Sequence, residues 1–110
     1  MNGDVRVSWT KVASAAEVAK GSMRNVEIDD EYIGVYHTME DEWYATSNIC
    51  THAGETLTDG TLEGCVVQCP KHGGQFDVST GAAVKFPCVM PVETYQIEIR
   101  DGEVYIDFEE

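Results

Sequence analysis

Cys50-Thr51-His52 and Cys69-Pro70-Lys71-His72-Gly73-Gly74 decide the reading of this chain. Each stretch offers one thiol followed by one imidazole, so together they supply two sulfur and two nitrogen ligands, the donor set of a metal centre. Sixteen residues separate His52 from Cys69, enough for a strand or two to bring the loops face to face as two fingers around one object. Gly54, Gly73 and Gly74 crowd the fingers, where glycine lets peptide N–H groups approach sulfur or take backbone angles closed to larger residues. Pro70 stiffens the second finger directly after its thiol.

Two objects satisfy that donor set. In a two-iron cluster both thiolates hold one iron and both imidazoles the other. A single tetrahedral zinc needs the same four ligands, so ligand count leaves both open.

The two fingers, with the flanking Leu62-Glu63-Gly64, His72-Gly73-Gly74-Gln75-Phe76-Asp77 and Thr80-Gly81, resemble the Rieske iron–sulfur proteins. Their pattern is C-x-H followed, after about sixteen residues, by C-x2-H. The resemblance covers nearly all of the chain and is strongest to the small ferredoxins of bacterial aromatic-ring-hydroxylating dioxygenase systems. It implies one Rieske 2Fe-2S cluster, with Cys50 and Cys69 on an inner iron and His52 and His72 on an outer iron that faces solvent. It also implies a fold: an all-β, antiparallel sandwich base with a small inserted cluster-binding subdomain of two metal-binding loops. The whole chain, 1–110, is then one domain, the subdomain covering about 47–86 and the base 1–46 and 87–110.

Two departures from the respiratory and photosynthetic Rieske proteins are informative. Those relatives carry an extra cysteine in each finger, joined as a disulfide; Glu55 and Lys71 stand at those positions here. They also place a serine and a tyrosine after the second histidine as hydrogen-bond donors to sulfur, where this chain has Gly74 and Phe76. Donors to sulfur stabilise the more negative, reduced centre, so their loss predicts a low potential for a Rieske centre.

The function implied is one-electron shuttling from a flavin-containing, NAD(P)H-dependent ferredoxin reductase to a terminal oxygenase in aromatic hydrocarbon catabolism. The chain itself would be an electron-transfer component rather than an enzyme. It shows no nucleotide-binding glycine fingerprint, no Ser-His-Asp grouping and no second histidine–carboxylate cluster. The alternative within the family is the Rieske small subunit of a larger oxidoreductase, such as an assimilatory nitrite reductase. A zinc-stabilised binding module without redox function is the alternative outside it.

Composition narrows the partners. Seven basic against twenty acidic residues give a formal charge of −13, which opposes binding to nucleic acid or an anionic membrane and suits a basic docking surface on another protein. No apolar run approaches the roughly twenty residues of a membrane span, and the N-terminus shows neither the basic segment nor the apolar run of a signal peptide. A cytoplasmic monomer is the expectation.

Outward from the fingers, alternation marks the strands. Val5, Val7 and Trp9 read as a first strand; Ser14 to Lys20, with a serine N-cap, Glu17 at the capping-box position and Gly21 as a stop, predicts one short helix of one or two turns. Met23 to Ile28 and Tyr32 to Met39 are strands, the latter with Ile33, Val35 and Met39 expected on one face, and Trp43 to Thr46 leads into the first finger. Cys65 to Gln68 delivers Cys69, Gln75 to Asp77 leaves the second finger, and Ser79-Thr80-Gly81 closes a hairpin. Phe86 to Pro91 is an apolar connector, which in the family packs near the cluster. Tyr95 to Arg100 and Val104 to Phe108 form a final hairpin about Asp101-Gly102. Short finger strands bury little apolar area, so the metal is expected to supply much of their order. Cys65 and Cys88 are expected to be small buried hydrophobes rather than ligands, a disulfide between them being the lesser option. Trp9, Trp43, Tyr36 and Tyr44 are given packing roles, and His37, read as a partly buried polar residue, is given none.

Overall fold

The computed structural model describes residues 9–51 and 54–108. The strands are β1 (Trp9–Ser14), β2 (Ser22–Ile28), β3 (Glu31–His37), β4 (Trp43–Ser47), β5 (Thr61–Glu63), β6 (Val66–Gln68), β7 (Gln75–Asp77), β8 (Ala83–Lys85), β9 (Thr94–Arg100) and β10 (Glu103–Asp107). They form a six-stranded sheet in the order β1-β10-β9-β4-β3-β2 and a four-stranded sheet β5-β6-β7-β8. All the pairings are antiparallel. Val5 and Val7 lie outside the described residues.

The larger sheet is held by alternation. Val26, Ile28, Ile33, Val35 and Ala45 from β2 to β4 meet Ala13, Val104, Ile106 and Phe108 from the β1–β10 side in one buried core. β9 joins the two halves, pairing β4 through Tyr95 and Thr94 and β10 from Gln96 onward, so the sheet folds over its own apolar face as a sandwich does.

β3 is buried on both faces because it separates two cores. Ile33 and Val35 belong to the first, whereas Tyr36, one residue out of phase, belongs to a second core with Leu57, Val67, Phe76, Val78 and Val92. That second core lies between the sheets and takes in Cys50, Cys69 and Cys88. The finger strands thus pack on a substantial apolar core of their own, more than their short length suggested.

Two further expectations differ. The short helix is a single 3-10 turn, Ala15–Glu17, because β1 runs on to Ser14 and the chain must reach β2 at Ser22. The Glu17 carboxylate still accepts from the Ser14 N–H at 3.3 Å, and Gly21, at φ +81°, makes the return. Met39 is exposed rather than aligned with Ile33 and Val35, since β3 ends at His37 and a turn follows. Cys65 and Cys88 are free thiols, in keeping with the leading expectation and against the lesser one of a disulfide, although Cys65 is only part-buried.

His37 closes that turn. Its Nδ1 donates to the Val18 carbonyl at 2.7 Å, Nε2 lies 2.6 Å from Asp41 Oδ1, and the ring stacks on Trp43 at 3.9 Å. Among the described residues no helix is long and apolar enough to cross a membrane.

Candidate metal centre

Both fingers are closed in the same way. The Cys50 N–H donates to the Glu55 carbonyl and the Cys69 N–H to the Gly74 carbonyl, each at 2.8 Å. Below these bonds, the Ile49–Thr56 bridge and the Gln68–Gln75 pair form matching rungs. The second finger adds a side-chain bond across its base, Gln75 Nε2 to Gln68 Oε1 at 2.9 Å. At its tip His72 and Gly73 take left-handed angles, φ +71° and +74°. Such a pair reverses the chain within two residues, and histidine is among the side chains that tolerate the conformation.

Asn48 fixes the first finger from beneath. The fully buried amide donates to Asn25 Oδ1 (2.7 Å) and Thr58 Oγ1 (2.9 Å), and its carbonyl oxygen accepts from the Thr58 N–H (2.9 Å). Its backbone bonds Tyr32 and Leu57 as well. The sequence offered a faint signal for this residue, a lone amide between an apolar strand and a ligand-type cysteine.

Cys50 and Cys69 are 2% and 1% exposed and meet in the second core, whereas His72 is exposed. Burial pushes the Cys69 thiol up, and the Lys71 backbone N–H donated to its sulfur acts the other way. His52 lies outside the described residues, and no three His, Cys, Asp or Glu side chains form a metal-holding group among the described ones. The structure therefore brings together two of the four candidate ligands, Cys50 and Cys69.

Those residues fit an iron–sulfur cluster. A close pair of water-excluded thiols offers the soft sulfur donors that iron–sulfur clusters take, and the peptide N–H of Lys71 is already directed at sulfur, the outer interaction such clusters need.

Cys88 is the residue whose place the sequence did not reveal. Its Sγ lies 3.8 Å from Cys50 Sγ, and burial pushes its thiol up to about 12. Cys65 sits elsewhere, against Glu42 and Tyr44. The connector bearing Cys88 is tied to the first finger by Thr51 Oγ1, which donates to the Met90 carbonyl at 2.8 Å. Across the fingers Lys71 Nζ and Glu55 Oε2 are 3.8 Å apart, so an ion pair stands at the two positions where the disulfide-bearing relatives have cysteines.

The Rieske [2Fe-2S] domain family matches residues 8–96. The chain belongs to that family. It is 39% identical over 99 residues to ferredoxin CarAc of Metapseudomonas resinovorans, covering 89% of this chain and 92% of that one. It is 36% identical over 101 residues to the ferredoxin component of the naphthalene 1,2-dioxygenase system of Pseudomonas putida, with 92% and 96% covered. Among solved structures it is similar to a chain in the complex of reduced oxygenase and oxidised ferredoxin of carbazole 1,9a-dioxygenase. There the TM-score is 0.83 at 39% identity, covering 90% of this chain and 92% of that one. Its cofactor is one Rieske 2Fe-2S cluster, which removes the zinc alternative, and its role is electron transfer rather than catalysis.

Proposed function

We propose that this Rieske ferredoxin is the one-electron carrier of an aromatic-ring-hydroxylating dioxygenase system. It takes electrons from a flavin-containing, NAD(P)H-dependent ferredoxin reductase and delivers them to the terminal oxygenase. On this reading residues 47–86 are the cluster-binding subdomain, Cys50 and Cys69 hold the inner iron, and His52 and His72 hold the outer one. The chain works as a cytoplasmic monomer.

The contrast in burial between Cys69 and His72 carries the reading. Three residues apart, one is sealed in the second core and the other stands in solvent. When bound, the cluster supplies a one-electron redox couple. The chain's part is to exclude water from the thiolates, hold the His72 imidazole at the tip of a tight turn, and present a surface around it.

That surface has an apolar element besides the acidic one. Phe86, Val89 and Met90 are 79%, 70% and 61% exposed on the connector that Thr51 ties to the first finger. Clustered large apolar side chains left in water mark a contact surface. An apolar contact ringed by charge suits partners that bind, exchange an electron and leave: charge speeds encounter, and a small apolar area keeps the complex short-lived.

The test is stopped-flow transfer from reductase to this protein, and from this protein to oxygenase, with Glu55→Gln and Lys71→Gln at low and high salt. Both variants should alter both rates at low salt and converge on the parent at high salt. Unaltered rates in both directions would sink the charged-tip reading. Electron transfer confined to a permanent complex would support the small-subunit alternative.

A further inference from the structure

We propose that Cys88 donates an S–H hydrogen bond to the Cys50 sulfur and so raises the reduction potential of the cluster. This rests on the ligand set above. The two sulfurs are 3.8 Å apart, and Cys88 is 4% exposed. Either thiol can donate while both carry protons. A cysteine that ligates iron has none, so Cys50 can then only accept and Cys88 is the donor.

The backbone holds the thiol there. The Cys88 N–H donates to the Lys85 carbonyl at 3.1 Å. On the other side stands Gly74, where an added Cβ would collide with Cys88 Sγ and lie 3.1 Å from the Cys88 backbone nitrogen. The thiol fills the space that a Cβ at 74 would take, so the chain that lacks a donor at Gly74 brings one from the connector. The added electron increases negative charge on the ligand sulfurs, and a donor to one of them favours the reduced state. Thiols are weak donors, so the effect is moderate.

The rival role is apolar filling. Voltammetry on cluster-loaded Cys88→Val and Cys88→Ser separates the two, with iron and sulfide measured on each sample. Valine fills the space without donating, and should lower the reduction equilibrium constant about threefold, roughly 30 mV downward. Serine donates, and should hold the potential at or above that of the parent. A valine variant with the parent potential overturns the proposal.

A second measurement needs no change at position 88. In the loaded Cys65→Ser protein only Cys88 retains a thiol proton, and its S–H stretching band in Raman spectra should lie below that of a thiol without an acceptor. A band at the unbonded frequency overturns the proposal even if the valine variant does not load. Additional S–H bands from Cys50 or Cys69 in a protein with full iron would instead break the ligand assignment.

Discussion

Gly74 and Cys88 compete for one volume: a Cβ built on Gly74 meets the Cys88 sulfur at less than contact distance, with the Cys88 backbone behind it. Gly74→Ala must therefore push the connector away from the fingers. We expect a loss of about 1–3 kcal/mol, the cost of overpacking a filled core, read as a lower midpoint in urea. Gly74→Ala combined with Cys88→Ala should recover most of it, and a double variant no better than the single one would show that the collision is not the cause.

Asn48 holds the first finger through three side-chain bonds, to Asn25 Oδ1, Thr58 Oγ1 and the Thr58 N–H. Asn48→Ala leaves buried polar partners unpaired, at a cost of about 1–3 kcal/mol. It should also speed cluster loss to a chelator, followed by the bleaching of the visible absorption. A variant that is destabilised yet loses iron at the parent rate would confine Asn48 to the fold.

Acid should act through Asp41. The His37 hydrogen bond holds this carboxyl below its ordinary 3.8. A carboxyl depressed in the folded state contributes stability above its unfolded value, and that contribution is lost as pH falls from about 3.8 through the folded value. Asp41→Asn should flatten the acid limb of a urea-midpoint profile below pH 4 and leave the slope above pH 5 unchanged. An identical acid limb in the variant would assign the pH dependence to other carboxylates.

Removing the cluster tests how far the fingers depend on it. Cys69→Ser should abolish the rhombic EPR signal of the reduced protein, yet far-UV circular dichroism should keep its β form, because Leu57, Val67, Phe76 and Val78 stay buried together. The melting temperature should fall, since bound metal stabilises only the folded state. Loss of all β signal would mean that the apolar core cannot order the fingers unaided.

The exposed connector makes a separate prediction. Phe86→Ala should slow transfer to the oxygenase about tenfold without shifting the potential, since its ring is 79% exposed. A potential shift would place the ring against the cluster instead.

The finger turns were legible because each pairs a cysteine with a histidine at short spacing beside glycine; the structure sets Cys50 and Cys69 in one core with His72 exposed, and His52 lies outside the described residues. The strands were legible where one face meets a core, as at Val104, Ile106 and Phe108. Elsewhere local pattern was not enough. Ile33 and Tyr36 are buried on opposite faces of β3, a two-sided burial that no alternation announces. Ser14 to Lys20 carried helix signals but lies between two strands that leave room for one turn. Cys88 reads as a small apolar residue until the connector folds back and sets it beside Cys50. Its neighbour there is distant in sequence, and periodicity carries no such information.

β4 and β9 are paired neighbours, Ala45 opposite Tyr95 and Thr46 opposite Thr94. Everything between them, both fingers and the whole second sheet, is in topological terms the loop of one long hairpin. Such a loop can lengthen, shrink or exchange its sequence while the strands that carry it keep their register. The inserted part still leans on its host, because Tyr36 of β3 completes its core and Asn25 and Tyr32 bond Asn48 at its base, so an antiparallel pair that received it in a graft must supply those contacts too.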